Sequence, residues 1–299
     1  MAVLVEPTPT VALTDVTRVA GPLLVVEAAQ GVAYGEFVEV VTDDGTVRRG
    51  QVLEVAETRA VVQVFGGTDG IGLEGTCVLT RARPARTGVG RDYLGRVLDG
   101  TGRPRDGLPE PVAASWADVN GQAINPVARD HPDQMIETGL SAVDVLLTLV
   151  RGQKLPIFSG YGLPAEALAA RIAADARVPG DSTDDVEGGE GFAVVFAAMG
   201  VTRRTADFFV EQIAGGPSRD RSVVLLNLAG DPTVERILTP RVALTIAEHL
   251  AFVEGLHVLV VLTDMTSYCE ALREVSAARE ELPGRRGYPG YMYTDLSTI

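Results

Sequence analysis

The chain is short of cations, cysteine and histidine, and each shortage removes a class of function. Against 40 Asp and Glu stand 26 Lys and Arg, a formal net charge of −14. Nonspecific nucleic-acid binding rests on cationic neutralisation of phosphates, and docking on anionic lipid needs the same charge, so neither suits this sequence. Lysine is almost missing: Lys154 stands alone among arginines. Cys77 and Cys269 lie far apart and outside any metal-ligand spacing, which reads as two reduced thiols in a cytosolic protein. Three histidines without a His-x-x-x-His pair give no zinc site. No run approaches the ~18 consecutive apolar residues of a membrane span. The opening MAVLVEPTPT has neither a basic n-region nor a cleavable apolar core and is not expected to be a secretory signal.

What is present is ordinary globular material: 299 residues, 46% hydrophobic and 22% charged, enough for two domains. Residues 1–13 read as a loose Pro/Thr-containing lead. Residues 14–80 carry short alternating runs (VTRVAGPLLVVE, FVEVVTDDG, TVRRGQVLEVAE, RAVVQVF) punctuated by Gly21, Gly31, Gly35, Gly50, Gly66 and Gly67. Asp44-Gly45 between two such runs is a hairpin signal, and a small closed β-barrel is the expected way to hide so many strand edges. Residues 81–130, rich in Arg, Gly and Pro, read as a linker wrapping onto the next domain. From 131 to 299 the period changes. Apolar runs at 155–158, 192–199, 223–229 and 257–265 alternate with amphipathic stretches at 164–177, 202–214, 233–254 and 266–281. That alternation predicts an α/β domain with a parallel sheet covered on both faces. The acidic segment 179–191 is expected to be a mobile loop. The chain stops at Ile299 without a polar tail, which reads as an interruption of a longer sequence.

One stretch organises the rest: RGQKLPIFSGYGLPAEALAARIAADAR, residues 151–177. It predicts a buried strand at Leu155–Phe158, a glycine turn, and a helix opened by Pro164, whose missing N–H costs nothing at a first helical position. Leu168, Ala169, Ile172, Ala173 and Ala176 make one apolar face. Strand, glycine turn and helix N-terminus form the frame that holds phosphates. A working phosphate loop is G-x-x-x-x-G-K-[ST], with Lys on the β/γ-phosphates and the hydroxyl on Mg²⁺. Here Ser159, Gly160, Tyr161, Gly162, Leu163 and Pro164 are followed by Ala165, and Lys154 lies before the turn. Catalysis at this loop is not expected. Weak anion or nucleotide binding through backbone N–H groups and a plain strand-to-helix turn both stay open.

Three further places carry candidate chemistry. Asp264 ends an apolar strand, where an acidic residue holds Mg²⁺ in phosphate-loop enzymes; the bland reading makes Asp264 and Thr266 helix caps. In AAMGVTRRTADFF, Arg203 and Arg204 stand where a hydrolase would place a glutamate base, and no carboxylate comes before Asp207. Between 281 and 299, the loop Pro283, Gly284, Arg285, Arg286, Gly287, Tyr288, Pro289, Gly290, Tyr291 concentrates Arg and Tyr, residues enriched at interface hot spots.

These residues also carry a likeness. VAGPLLVVE, GVAYGEFVEV, RRGQVLEV, LGRVLDGTGRP, GQAINPVARD, TLVRGQKLPIFSG, DPTVERILTPR and LTDMTSYCEALREVSAAREELPGRRGYPGYMYTDLSTI resemble, in order, the B subunit of archaeal/vacuolar-type rotary ATPases. The resemblance implies a β-barrel followed by a RecA-like nucleotide-binding-type domain, with the family's C-terminal helical bundle absent from this sequence. It implies a non-catalytic, regulatory subunit: three copies alternate with three catalytic A subunits around a central rotor shaft, held by a peripheral stalk. Mg·ATP would sit on A's phosphate loop, with ATP or ADP at most weakly on this chain, and ATP synthesis or hydrolysis would be coupled to proton or sodium transport. Such a subunit is cytoplasmic and reaches the membrane only through the ion-translocating sector. The loop Pro283–Tyr291 would face the rotor. The arginine finger that the family lends to A's site would lie past Ile299. Family members often carry SGSGLPH at the turn, so Tyr161 and Ala165 depart from the pattern, and Tyr161 would crowd a nucleotide. Two rival readings are a free-standing RecA-like NTPase and a pseudo-subunit that joins the assembly without supporting turnover.

Overall fold

A computed structural model describes residues 11–27, 31–65, 67–81, 84–121, 127, 131, 133–179, 191–279 and 281–299. These fall into two compact units. The first takes the chain up to Arg86 with Gly230–Leu238 and Thr266–Ile299; the second takes Thr87–Ala229 and Thr239–Met265.

The first unit begins with seven strands: β1 (Val11–Leu13), β2 (Val16–Ala20), β3 (Leu23–Val26), β4 (Phe37–Val41), β5 (Val47–Ala56), β6 (Arg59–Val64) and β7 (Cys77–Thr80). They form one antiparallel, barrel-like sheet in the order β1-β7-β4-β5-β6-β3-β2. Alternation drives it. In β3 and β4 every second residue is buried, and Leu24, Val26, Val38, Val40, Val52, Val62 and Val78 share one core. The Asp44-Gly45 signal lies in the β4–β5 hairpin, where Gly45 has φ +80° and Asp44 Oδ1 accepts from Thr46 N at 2.9 Å. One expectation needs correction. Val11–Leu13, read as part of a loose lead, pairs with Val78–Thr80 because three apolar-compatible positions find a sheet edge.

One carboxylate is sealed inside this sheet unit. Glu36 is 1% exposed, and its oxygens accept from Thr80 Oγ1 at 2.6 Å, Arg81 N at 2.5 Å and Ala33 N at 3.1 Å. Three donors replace the water it gave up, as a buried polar group requires.

The second unit contains β8 (Arg86–Val89), β9 (Val97–Asp99), β10 (Ser115–Asp118), β11 (Met135–Ile136), α1 (Ser141–Leu146), β12 (Leu149–Val150), α2 (Ala165–Asp175), β13 (Phe192–Val201), α3 (Arg203–Phe209) and β14 (Ser222–Leu228). The chain continues with α4 (Thr233–Phe252), divided between the units at Leu238, and β15 (His257–Thr263) of the second unit; α5 (Met265–Ala278), from Thr266 on, and α6 (Met292–Ser297) belong to the first. The main sheet is parallel, in the order β15-β13-β14-β9. β13 is buried along its length except at Gly200, as a parallel strand covered on both faces must be. Phe196 and Phe209 meet at 4.7 Å between ring centroids in a core that includes Ala170, Ala173 and Ile213.

The stretch 81–130, expected only to wrap onto the domain, supplies β9 to the main sheet and β8 and β10 to a separate pair. Its return turn is fixed by Asp106, which accepts from Arg96 Nε at 2.7 Å and from Val97 N at 3.1 Å. The larger correction concerns Leu155–Phe158. These residues form no strand, and Phe158 is 93% exposed. β15 stands at the end of the sheet, with all seven residues half-buried, and the apolar run does not pair with it. Apolar character alone cannot supply a ladder partner. The acidic loop 180–190 lies outside the described residues, as do residues 1–10 of the lead.

Candidate functional site

In open parallel sheets, ligands bind beyond the carboxyl ends of the strands, where the order of strands reverses. β13 occupies that position here, because β14 is added on one side of it and β15 on the other. At its end, Gly200 adopts φ +67° and donates its N–H to Oδ1 of the buried Asn227 at 3.2 Å. Ala229 N donates to Val201 O at 2.8 Å. Thr202 then caps α3, accepting from Thr205 N at 3.2 Å. Ala198 is paired with Thr263, so Asp264 follows at the same edge of the sheet. The Thr263–Asp264 peptide is cis, Asp264 is exposed, and α5 begins at the next residue.

Arg203 and Arg204 are exposed at the start of α3. Asp207, the first carboxylate after them, pairs loosely with Arg203 at 3.8 Å, and both side chains are largely in solvent. No cluster of three metal-ligating side chains occurs among the described residues.

The glycine turn lies exposed from Ser159 to Pro164. Ser159 Oγ donates to Gly160 O at 3.2 Å, Leu163 N donates to Gly160 O at 3.2 Å, and Gly162 takes φ +83°. Pro164 occupies the cap position of α2, one residue before the place expected for it. Ala165 N and Leu168 N are already bonded, to Leu163 O at 2.9 Å and Pro164 O at 3.1 Å. Tyr161 is fully solvent-exposed, beside the exposed Leu163. Residues 160–166 contain no Lys, Ser or Thr, the side chains that hold the phosphates and magnesium in a working phosphate loop. Lys154 is exposed, five residues before the turn begins at Ser159. The buried face of α2 consists of Ala170, Ile172 and Ala173, with Ala176 buried just beyond it.

The far end of α2 is firmly held. Arg221 donates from Nη1 to Ala176 O at 2.7 Å and from Nη2 to Ala174 O at 2.8 Å, and its guanidinium lies 5.3 Å from the Phe192 ring centroid. Burial draws its pKa below the ordinary arginine value, partly opposed by Asp175. Nothing in the spacing of the sequence pointed to this arginine.

The loop Pro283–Tyr291, which belongs to the first unit, is ordered by local contacts. Pro283 bridges Pro289, Gly284 N donates to Tyr288 O at 2.8 Å, and Met292 N donates to Pro289 O at 3.1 Å. Tyr288 donates its hydroxyl to Glu270 on α5, and Arg273, which is paired with Glu270, lies 5.4 Å from the Tyr288 ring centroid. Tyr291 has its pKa raised by burial and then by Glu281. Arg285 and Arg286 remain exposed. The sequence marked the loop's residues; it did not mark Glu270 and Arg273, which act on it from a neighbouring helix.

A barrel-like antiparallel domain followed by a parallel sheet with a glycine turn opening a helix defines a nucleotide-binding-type α/β protein. Residues 139–299 match the ATP synthase alpha/beta family, nucleotide-binding domain, and residues 16–80 match the ATP synthase alpha/beta family, beta-barrel domain. The chain belongs to the ATP synthase alpha/beta family. No helical bundle follows the α/β domain among the described residues, and no described helix is long and apolar enough to cross a membrane.

Proposed function

We propose that this chain is the non-catalytic, regulatory B subunit of a V/A-type rotary ATPase or ATP synthase. Members of the family form alternating hetero-oligomeric rings in ATP synthases. In such a ring this chain alternates with a catalytic A subunit, which holds Mg·ATP, and contributes to coupling ATP synthesis or hydrolysis to proton or sodium transport. It works on the cytoplasmic side of a membrane, peripheral to the ion-translocating sector.

One observation carries the reading. The glycine turn that opens a helix is kept as SGYGLPA, while the strand before it and the ammonium and metal-bound hydroxyl that the chemistry requires are missing. Asp264 stays at the strand end as a vestige of the metal position. The Arg203–Arg204 pair stands where a hydrolase would place its base, so the chain's use lies in the assembly and not in turnover of its own. The loop Pro283–Tyr291, with Arg285 and Arg286 exposed, suits a contact with acidic or polar groups of the rotor shaft.

Co-expression with a catalytic A subunit tests this. Native mass spectrometry should find a ring containing three copies of each chain. Failure of the two to associate, with both folded, would contradict the assignment.

A further inference from the structure

The rotor-facing loop carries a backbone feature that its exposed position does not explain. Arg286 adopts φ 59° and Gly287 φ 81°. Glycine takes the left-handed region freely, whereas a residue with a Cβ is disfavoured there. A left-handed arginine in a solvent loop needs surroundings that hold it in place.

Those surroundings are the closing pair of the loop and the clamp beneath it. Gly284 N donates to Tyr288 O at 2.8 Å. A Cβ on Gly284 would lie 2.9 Å from that same carbonyl oxygen, so the close approach requires glycine. Tyr288 is gripped in turn by two residues of α5. Its hydroxyl donates to the Glu270 carboxylate, and Arg273 pairs with Glu270 while lying 5.4 Å from the phenol ring centroid. Glu270 and Arg273 are three apart on one helix and share a face. The hydrogen bond to Glu270 raises the Tyr288 pKa above the ordinary tyrosine value, so the hydroxyl keeps its proton and remains a donor. Arg285 and Arg286 project from the closed loop into solvent, a local cationic pair on a chain of net charge −14.

We infer that Tyr288 is a positioning residue: held by Glu270 and Arg273, it keeps the loop closed so that Arg285 and Arg286 meet the carboxylates of a partner together. This rests on the reading of the loop as a contact with an acidic partner. Two arginines fixed side by side engage adjacent carboxylates with less ordering cost than two independent side chains.

The test uses the whole chain and fluorophore-labelled poly-L-glutamate, read by fluorescence anisotropy at low ionic strength, where exposed charges are least screened. The wild-type chain should bind, and Arg285→Gln with Arg286→Gln should abolish binding. Tyr288→Phe, which keeps the ring under Arg273 and loses the bond to Glu270, should weaken binding about five- to tenfold. It should also speed trypsin cleavage after Arg285 and Arg286 several-fold, with the unfolding midpoint unchanged. Glu270→Gln keeps an acceptor for the hydroxyl and should stay within about twofold of wild type. Equal binding by Tyr288→Phe and wild type overturns the positioning role, as does a Glu270→Gln chain as weak as Tyr288→Phe. A wild-type chain that ignores polyglutamate removes the acidic partner altogether; ring formation with the A subunit is scored separately and survives either result.

Discussion

Arg221 and Ala176 are joined by a hydrogen bond of 2.7 Å from Nη1 to the backbone carbonyl, and the same guanidinium reaches Ala174 O at 2.8 Å. The helix that follows the glycine turn is therefore anchored at its carboxyl end while the turn at its amino end stands in solvent. A cation at a helix C-terminus also answers the partial negative charge there. Arg221→Ala should cost about 2 kcal/mol, from two charge-assisted bonds and lost packing on Phe192. Arg221→Lys should recover less than half, because an ammonium cannot span both carbonyls as a fork does. Chemical denaturation of the three chains measures the order.

Glu36 makes a similar case in the barrel-like sheet. Its removal as Glu36→Ala strands the donors Thr80 Oγ1, Arg81 N and Ala33 N, and about 3 kcal/mol should be lost. Glu36→Gln should cost less, since the amide still accepts at one oxygen. Urea unfolding followed by circular dichroism separates the two.

Gly50 lies on β5 where no side chain fits. A Cβ there would come 2.8 Å from Val62 Cγ1 and 2.9 Å from the backbone oxygen of Gln63. Gly50→Ala should destabilise the sheet by about 1–3 kcal/mol through overpacking. Gly107→Ala, whose Cβ meets nothing within 4 Å but whose φ is +77°, isolates the backbone contribution and should cost about 1 kcal/mol.

Acid sensitivity follows from Asp106. Its bond with Arg96, helped by the Leu108 and Val97 amides, holds its carboxyl at about 2, well below the usual range. A carboxyl whose folded pKa is depressed contributes stability that is present above its unfolded pKa, about 4, and is lost as pH falls through the folded value. Unfolding midpoints of the wild-type chain should therefore fall between about pH 4 and pH 2 more steeply than those of Asp106→Asn. A variant with the same slope as wild type across that window would show that the Arg96–Asp106 pair contributes nothing.

The fold was largely legible because it rests on local periodicity. Alternating residues gave the antiparallel strands, and the near-continuous apolar runs gave β13, β14 and β15, with the helices between them starting within about two residues of their expected positions. Leu155–Phe158 failed for the opposite reason: an apolar run shows that a strand is affordable, but a ladder needs a neighbour from elsewhere in the chain. Val97–Asp99 was missed because three residues in an Arg- and Gly-rich stretch carry no periodic signal, and their place in the sheet depends on Arg96, Arg105 and Asp106. The candidate sites divide in the same way. The missing lysine and hydroxyl could be read directly from SGYGLPA, and the Arg285–Arg286 pair from its loop. The clamp on Tyr288 could not, because Glu270 and Arg273 look like an ordinary charged face of a helix until the loop folds back on them.

A glycine turn that opens a helix without an ammonium or a metal-binding hydroxyl is proposed to leave this chain a helper of a neighbour's chemistry. The most direct measurement is steady-state phosphate release by the purified chain alone with saturating Mg·ATP. No turnover above the buffer rate is expected, for the wild-type chain and for Asp264→Ala alike. Sustained hydrolysis at an enzyme's pace, abolished by Asp264→Ala, would contradict it.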